Sequence, residues 1–216
     1  GQDLRMHAGH QDLLVPGAIV DADPATGRQR WRFDPQVPDE FIPYTAACRG
    51  VSYYAVPDAD ASTACATRIV LGTLDARLVE IDAKTGEFKL FEVPTSGSAP
   101  RRGQMDSQDR LWFAQYRGDR VAMFDTKTEE FKEWRIPPRW SAPYDAVLDK
   151  NDEVWTGSML SDQVTRLNTK TNEMVQYLLP RTTNIRRVFV DNTTTPVTFW
   201  VGSNHGHSIV KVEPLD

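Results

Sequence analysis

The sequence has no long apolar run and no excess of basic residues. Nowhere in its 216 residues does an uninterrupted apolar stretch approach the length of about 18 residues that a membrane-spanning helix needs, so we expect no membrane span. Its 30 acidic side chains outnumber its 25 Lys and Arg, which gives a formal net charge of −5. Such an acidic chain is a poor partner for nucleic acid, and we expect none.

Cysteine is scarce, because the chain has only Cys48 and Cys65, separated by the polar loop RGVSYYAVPDADASTA. Paired as a disulfide, they would stabilise the fold by about 3 kcal/mol through loop entropy. Two free thiols in a cytosolic protein are the alternative. The loop lacks the apolar character that shelters a free thiol, which favours the disulfide and a periplasmic or secreted location. The chain begins with Gly and shows no signal peptide, so we expect a processed product or a fragment.

Histidine, helical periodicity and nucleophile motifs are also sparse. No apolar pattern of helical period persists for about 11 residues, and no Gly-rich phosphate loop, Ser elbow or Cys nucleophile motif occurs. The four histidines form two close pairs, His7 with His10 and His205 with His207, and two ligands alone make a weak metal site. We therefore expect surface histidines and no bound metal. Residues 1–17 have no strand pattern and predict a loose tail.

What the chain does contain is a repeated phrase. EIDAKTGEFKLFEVP starts at Glu80, MFDTKTEEFKEWRIP at Met123 and RLNTKTNEMVQYLLP at Arg166. The Asp or Asn of the phrase falls at positions 82, 125 and 168, and tryptophans follow the same rhythm at 112, 155 and 200. The phrase predicts a turn in which the Asp or Asn side chain bonds backbone amides two residues on.

Each repeat divides into four short runs that favour strands, which predicts one blade of an all-β propeller. Whole blades are expected over residues 47–93, 102–136 and 143–178, and the tail RRVFVD, FWVGSN and SIVKVE supplies three more strands. A lone strand, RQRWRFDP near residue 30, could complete the tail and close a ring of about four blades. An arc of a larger propeller is the alternative.

From about residue 18 to 83 the sequence resembles the quinoprotein glucose dehydrogenases that depend on pyrroloquinoline quinone (PQQ). The segments that carry the likeness are DADPATGRQRWRFDP, TAACRGVSYY and CATRIVLGTLDARLVEIDAKTGE. The resemblance implies that Arg49 meets a carboxylate of PQQ, a possible cofactor. That family takes an Asp base, a Lys near the quinone and an aromatic floor from later blades that this chain replaces, and Thr45 stands where His is common. We therefore expect the redox machinery to be incomplete.

From about residue 84 to the end the sequence instead resembles the streptogramin (virginiamycin B) lyase-like propellers. The carriers are SAPRRGQMDSQDRLWFAQYRGDRVAMFD, SAPYDAVLDKNDEVWTGSM and RRVFVDNTTTPVTFWVGSNHGHSIVKVEPLD. The resemblance implies acid–base cleavage by a His in a Pro-His-Gly entry and a Glu after a Trp-Phe strand, with a bound magnesium. Here the entries read PRRG, PYDA and IRRV, and the Glu positions hold Gln115, Ser158 and Ser203. Lyase turnover should be absent, because these residues do not transfer protons as His and Glu do.

Together the two resemblances predict one chimera-like propeller domain after the tail. Residues 18–93 form its quinoprotein-like part and residues 94–216 its lyase-like part. The join lies within IDAKTGE, a phrase that both families use, and a natural fusion, an engineered splice and a mis-assembled sequence all remain open.

Strand order places the entry to strand one and the exit from strand two at the same end of a propeller. Arginine dominates these positions and pairs bidentately with carboxylates and phosphates, so they predict a mouth for a small polar or anionic ligand. The alternative is a scaffold in which the arginines cap loop carbonyls and pair with carboxylates. The expected cofactor contact is Arg49, and the expected ligand contacts are Arg101, Arg102, Gln115, Tyr144, Asp145, Arg186, Arg187 and His205.

Three functions stay open on these grounds. The first is a periplasmic or secreted propeller that binds a small polar or anionic ligand without lyase turnover. The second is a fragment of a PQQ-dependent sugar or alcohol dehydrogenase. The third is a non-catalytic scaffold that associates edge to edge with another copy if the ring is open.

Overall fold

The computed structural model describes residues 18–42, 51–60 and 62–215. The chain divides into two compact units, residues 1–48 and 49–216. The boundary expected near residue 93 therefore falls inside the second unit, which holds the quinoprotein-like blade together with the lyase-like strands.

The first unit contains an antiparallel hairpin, β1 (Ile19–Ala22) and β2 (Gln29–Phe33), followed by a short 3-10 helix, Asp39–Phe41. The expectation of a lone strand near residue 30 is wrong, because that strand pairs with β1. Asp23 closes the hairpin, since its Oδ1 accepts the backbone N–H groups of Ala25 and Thr26 at 2.9 and 3.0 Å.

The second unit is a series of antiparallel sheets in chain order, each with consecutive strands as neighbours. Blade 1 comprises β3 (Ser52–Ala55), β4 (Thr67–Gly72), β5 (Arg77–Asp82) and β6 (Phe88–Glu92). Blade 2 comprises β7 (Pro100–Met105), β8 (Arg110–Gln115), β9 (Arg120–Asp125) and β10 (Phe131–Arg135). Blade 3 comprises β11 (Pro143–Leu148), β12 (Val154–Ser158), β13 (Gln163–Leu167) and β14 (Met174–Leu178). Blade 4 comprises β15 (Ile185–Asp191), β16 (Thr198–Ser203) and β17 (Ser208–Val212).

This arrangement confirms the all-β propeller and its three whole blades. The first strands lie side by side, since β11 contacts both β7 and β15, and β3 contacts β7. Blade 4 has three strands within the described ranges, and the described strands of the second unit form an arc without a closed ring.

The repeated phrase forms the turn that its sequence predicts. The Oδ1 atoms of Asp82, Asp125 and Asn168 each accept the backbone N–H groups two and three residues further on, at 2.8 to 3.1 Å. The backbone N–H of Lys127 lowers the pKa of Asp125, because the bond favours the charged carboxylate. The phrase is therefore architectural.

A second repeated contact joins the first turn of a blade to its tryptophan. In blade 3 the indole Nε1 of Trp155 donates to Asp149 Oδ2 at 3.0 Å, and Asp149 Oδ1 accepts the amides of Asn151 and Glu153. Asp106 and Trp112 make the same contact in blade 2, at 2.8 Å. One buried carboxylate thus fixes both the turn and the orientation of the indole ring.

Adjacent blades pack face to face through apolar clusters. We call the face of a blade that points to the next blade in the chain its trailing face. On the trailing face of blade 3, Trp155 and Val164 pack against Ile185 and Phe199 of blade 4. Gly157 lies between them, and a Cβ at this position would overlap Ile185. The absence of a side chain therefore lets β15 approach closely.

Asp149→Ala should lower the free energy of unfolding by about 2–4 kcal/mol, because it leaves the buried Trp155 N–H and two turn amides without an acceptor. Urea unfolding followed by tryptophan fluorescence measures the change. Asp191→Ala is the matched control, since Asp191 closes the blade 4 turn through Thr193 alone. We expect that control to lose clearly less stability than Asp149→Ala, and equal losses would contradict the role of the indole bond.

Candidate functional site

Three neighbouring first strands carry the same irregularity at the same register. On β7, β11 and β15 the pairing with the second strand slips by one residue just after the strand begins. Such a bulge re-aims side chains, and bulges are over-represented beside functional sites. The residues inside the three bulges are the predicted entry pairs, Arg101 and Arg102, Tyr144 and Asp145, and Arg186 and Arg187.

The segments that lead into the bulges are held rigidly. Ala99 and Ala142, in the two Ser-Ala-Pro entries, take left-handed φ angles of 51° and 49°. Asp119 Oδ1 accepts the N–H of Ala142 at 3.0 Å, and Asp162 Oδ1 accepts the N–H of Thr183 at 2.5 Å. Strained backbone of this kind persists only where its surroundings hold it, which motivates a functional reading of this end.

The guanidinium of Arg101 lies between two tyrosine rings. Its Cζ is 4.1 Å from the ring centroid of Tyr116 and 4.2 Å from that of Tyr144, and the two rings meet edge to face. Arg102 also lies over Tyr144, at 5.6 Å. These cation–π contacts fix a positive charge between blades 2 and 3.

Asp145 is buried next to this group and is only 6% exposed. Burial raises the pKa of its carboxyl, while the charges of Arg102 and Arg187 act in the opposite direction. Asp145 thus links arginines from the first strands on either side of its own. We call Arg101, Arg102, Tyr116, Tyr144, Asp145 and Arg187 the arginine–tyrosine cluster.

Three other predicted residues lie apart from the cluster. The Nε of Arg186 donates to Asn184 Oδ1 at 3.2 Å, and His205 lies exposed in the turn after β16. Gln115 is fully buried and its Nε2 donates to Glu133 Oε1 at 2.6 Å. Its expected role as a ligand contact therefore gains no support, because the surrounding protein encloses the amide.

Glu133 is a residue that the sequence reading missed. Besides Gln115 it accepts the hydroxyl of Thr95 at 2.7 Å and lies 3.6 Å from the Nε of Arg120. Glu133 lies in β10, the outermost strand of blade 2. This strand holds several polar residues, and the sequence does not show which of them contacts the neighbouring strands. Glu133 ties the link between blades 1 and 2 to β8 and β9.

Several predictions concern residues 43–50 and the tail. Arg49, Thr45, Cys48, His7 and His10 lie outside the described residues. Cys65 is present as a free thiol whose pKa is raised by partial burial and by Asp82. The structure shows no disulfide at Cys65, and its pairing with Cys48 stays a prediction because Cys48 lies outside the described residues.

Within residues 18–42, 51–60 and 62–215, no group of three His, Cys, Asp or Glu side chains is placed to hold a metal ion. Over that same part of the chain, no helix has the length and apolarity needed to cross a bilayer.

A cleft of about 820 Å³ lies between blades 1 and 2 near the turns at the other end of the strands. Its charged walls are already paired: Arg68 Nη1 lies 2.9 Å from Glu80, and Lys89 Nζ lies 2.5 Å from Glu129. Burial and the neighbouring Glu129 raise the pKa of Glu80, against the effect of Arg68. The cleft therefore offers a ligand fewer available charges than the arginine–tyrosine cluster.

Sequence comparison relates the N-terminal part of the chain to quinoprotein dehydrogenases. The family model for the β-propeller domain of glucose/ethanol/alcohol dehydrogenases matches residues 15–109, past the expected limit of 83 and through Arg101 and Arg102. The chain is 47% identical over 70 residues to the glycerol dehydrogenase large subunit of Gluconobacter thailandicus, covering 32% of this chain and 10% of that protein. It is 31% identical over 98 residues to quinoprotein glucose dehydrogenase A of Acinetobacter calcoaceticus, covering 40% and 12%.

Structural comparison relates the whole arc to lyase propellers. Virginiamycin B lyase from Staphylococcus aureus superposes with a TM-score of 0.67 at 14% identity, over 93% of this chain and 64% of that one. A streptogramin B lyase gives 0.66 at 17% identity, over 93% and 63%. Both resemblances are thus confirmed, the second at the level of the fold. The chain spans about a tenth of its curated relatives and somewhat under two thirds of these propellers.

Asp145→Asn should stabilise the protein at neutral pH but not in acid. Because the folded pKa is raised, the folded protein holds a proton that the unfolded chain has lost, so stability falls as pH rises through that window. We expect equal thermal midpoints at about pH 3 and a higher midpoint for the variant at about pH 7.5.

Asp191→Asn provides the control of opposite sign. Hydrogen bonds from Thr193 lower the pKa of Asp191, so its carboxylate stabilises the fold above its ordinary pKa and that contribution is lost as pH falls. An Asp145→Asn variant that is less stable than wild type at neutral pH would contradict the conclusion that the buried charge of Asp145 destabilises the folded protein.

Proposed function

We propose that this chain is a propeller module that binds a small anionic ligand, of the carboxylate class, at the arginine–tyrosine cluster. The observation that carries the proposal is the triple bulge, which places Arg101 and Arg102, Asp145, and Arg187 on three adjacent first strands. Regular antiparallel pairing does not require a one-residue shift, yet the shift occurs at the same position in three blades. The bulges are therefore best explained by the side chains that they present.

The charge balance of the cluster supports an anion. The charges of Arg102 and Arg187 act on one buried Asp, and Arg101 adds a third positive charge between the tyrosines, in a chain whose overall charge is −5. Arg102 and Arg187 lie on either side of Asp145, so a carboxylate that enters here meets guanidinium groups from two blades. A guanidinium that pairs bidentately with a carboxylate forms two charge-assisted hydrogen bonds, which are stronger than neutral ones.

The tyrosines add a preference for flat ligands. Tyr116 and Tyr144 hold Arg101 between their rings, both tyrosines are only half-buried, and Arg102 lies over Tyr144. An aromatic carboxylate can stack on such a surface while its charge is bound, so benzoate is a better first probe than acetate.

The proposal includes no lyase turnover. The positions at which the lyase-like family carries its Glu are Gln115, Ser158 and Ser203, all of which are buried. The entry positions carry Arg101, Tyr144 and Arg186, and an arginine cannot act as a base at neutral pH. A periplasmic or secreted location is part of the same proposal and rests on the predicted cysteine pair.

Ligand binding is tested by thermal shift with benzoate, citrate and inorganic phosphate at millimolar concentration. We expect at least one of them to raise the unfolding midpoint of the wild type, because a ligand that binds only the folded state stabilises it. The Arg102→Ala/Arg187→Ala variant should lose that shift.

Two variants serve as controls for that experiment. Arg135→Ala removes the same charge from the exposed outer strand of blade 2, and Arg186→Ala removes the neighbour of Arg187 that bonds Asn184. We expect both to keep most of the shift. No shift with any of the three anions in the wild type, or equal loss in Arg135→Ala, would refute binding at the cluster.

A second candidate function is that of a PQQ-dependent dehydrogenase segment, favoured by the family match over residues 15–109. The residue expected to contact PQQ is Arg49. Since the chain covers only about a tenth of those relatives, the blades that supply their remaining residues have no counterpart in the match.

The second candidate predicts that the protein retains PQQ when mixed with the cofactor and calcium and then desalted. The absorbance of PQQ should remain with the wild type and fall with Arg49→Ala, whereas Arg28→Ala, an exposed arginine of the β1–β2 turn, should behave as wild type. A desalted protein without the chromophore would exclude this function.

A further inference from the structure

Blade 1 lacks a tryptophan that blades 2 and 3 share. In blades 2 and 3 the residue two places before the Asp or Asn of the repeated phrase pairs across the sheet with a tryptophan, Trp112 or Trp155. In blade 1 the equivalent residue is Glu80, and its register partner is Val70. Val70 therefore stands where an indole fills the trailing face of the later blades.

The partner position changes as well. In blade 2 it is Met123, a buried member of the apolar cluster between blades 2 and 3, and in blade 3 it is Arg166, whose guanidinium lies over the ring of Trp155. Blade 1 places the carboxylate of Glu80 there, paired with Arg68 at 2.9 Å. The interface between blades 1 and 2 thus holds less apolar volume than the later interfaces at two adjacent positions.

The cleft of about 820 Å³ between blades 1 and 2 lies at these positions. Arg68 and Glu80 form part of its wall on the side of blade 1, and Asp109 in the first turn of blade 2 lines the opposite side. Between blades 2 and 3 the first turns are joined instead, because the hydroxyl of Ser107 donates to Asp152. The cleft is therefore a local departure from the packing that the repeat otherwise imposes.

The walls of the cleft carry an excess of negative charge. Five carboxylates line it against three basic side chains. Burial and the charge of Glu129 raise the pKa of Glu80 in spite of its pairing with Arg68. A further cation placed beside Glu80 would stabilise its ionised form, so the cleft suits a positively charged ligand better than an anion.

Aromatic side chains complete the cleft. Tyr54 and Phe88 both line it, and Phe88 is 55% exposed. Burial and a hydrogen bond to Asp109 raise the pKa of Tyr54 to about 12, so its hydroxyl keeps its proton at neutral pH. Aromatic rings attract both flat rings and organic cations.

We propose that the cleft between blades 1 and 2 binds an aromatic amine, with the ring of the ligand beside Val70 in place of the absent indole and its ammonium group paired with Glu80. A purely apolar ligand would desolvate the charged walls without pairing with them, which costs free energy. The cleft lies at the opposite end of the strands from the arginine–tyrosine cluster, so this site is separate from the proposed anion site.

The site is tested by isothermal titration of the full chain with tryptamine, an indole that carries a primary ammonium group. Indole-3-ethanol is the matched ligand, because it has the same ring without the charge. We expect tryptamine to bind the wild type and indole-3-ethanol to bind about tenfold more weakly, since it lacks the charge-assisted contact.

Two pairs of variants locate the binding. Val70→Trp supplies the indole of the later blades and should abolish tryptamine binding, whereas Leu90→Trp adds the same ring at an exposed position of β6 and should leave binding intact. Glu80→Gln should weaken binding about tenfold, whereas Glu92→Gln removes an exposed carboxylate of the same blade and should not.

The Arg102→Ala/Arg187→Ala variant should bind tryptamine as the wild type does, which separates this site from the anion site. Thermal midpoints close to that of the wild type would show that the variants fold, and if Val70→Trp does not fold, the two glutamate variants decide the question. A wild type that binds tryptamine no more tightly than indole-3-ethanol, or does not bind it at millimolar concentration, would overturn the proposal. So would wild-type affinity in Glu80→Gln.

Discussion

The packing of one blade on the next is the contact on which the rest of this structure depends. A four-stranded antiparallel sheet of short strands cannot bury both of its faces alone, so each blade derives its core from its neighbour. Trp155 and Val164 are enclosed only because Gly157 lets β15 come close enough to cover them. Asp149 holds the indole of Trp155 in the orientation that this contact needs. A single residue without a side chain thus determines how near two sheets lie and how much apolar area they share.

The packing of the blades also assembles the arginine–tyrosine cluster. The bulged starts of β7, β11 and β15 lie close together because their strands are side by side, and the charges of Arg102 and Arg187 act on Asp145 from the strands on either side. No two of these residues are close in sequence. The burial that raises the pKa of Asp145 is a consequence of the same stacking, and it opposes the attraction from the two arginines. The distance between blades therefore determines both the burial of Asp145 and its attraction to the two arginines.

Much of the fold could be predicted from the sequence, because it is local. The turn at Asp82, Asp125 and Asn168 closes on its own backbone amides, and period-two strands follow from aromatic and branched residues. The Asp23 side chain closes its hairpin through nearby backbone amides in the same way, but the sequence pattern does not indicate the short strand β1 before it. Strand order correctly placed the entry pairs at one end. The bulges, the sandwich of Arg101 and the burial of Gln115 could not be foreseen, since each depends on residues from another strand or blade.

The carboxylates of Asp119 and Asp162 hold the links between successive blades, and this has a kinetic consequence. Because these loops are held by hydrogen bonds to Ala142 and Thr183, the links that lead into blades 3 and 4 are fixed in place without a ligand. An anion that binds the proposed site would meet these walls already in place, so its rate of arrival would depend on diffusion and on long-range attraction to the guanidinium groups. Added salt would screen that attraction and slow the association of the anion, while its rate of dissociation would change little.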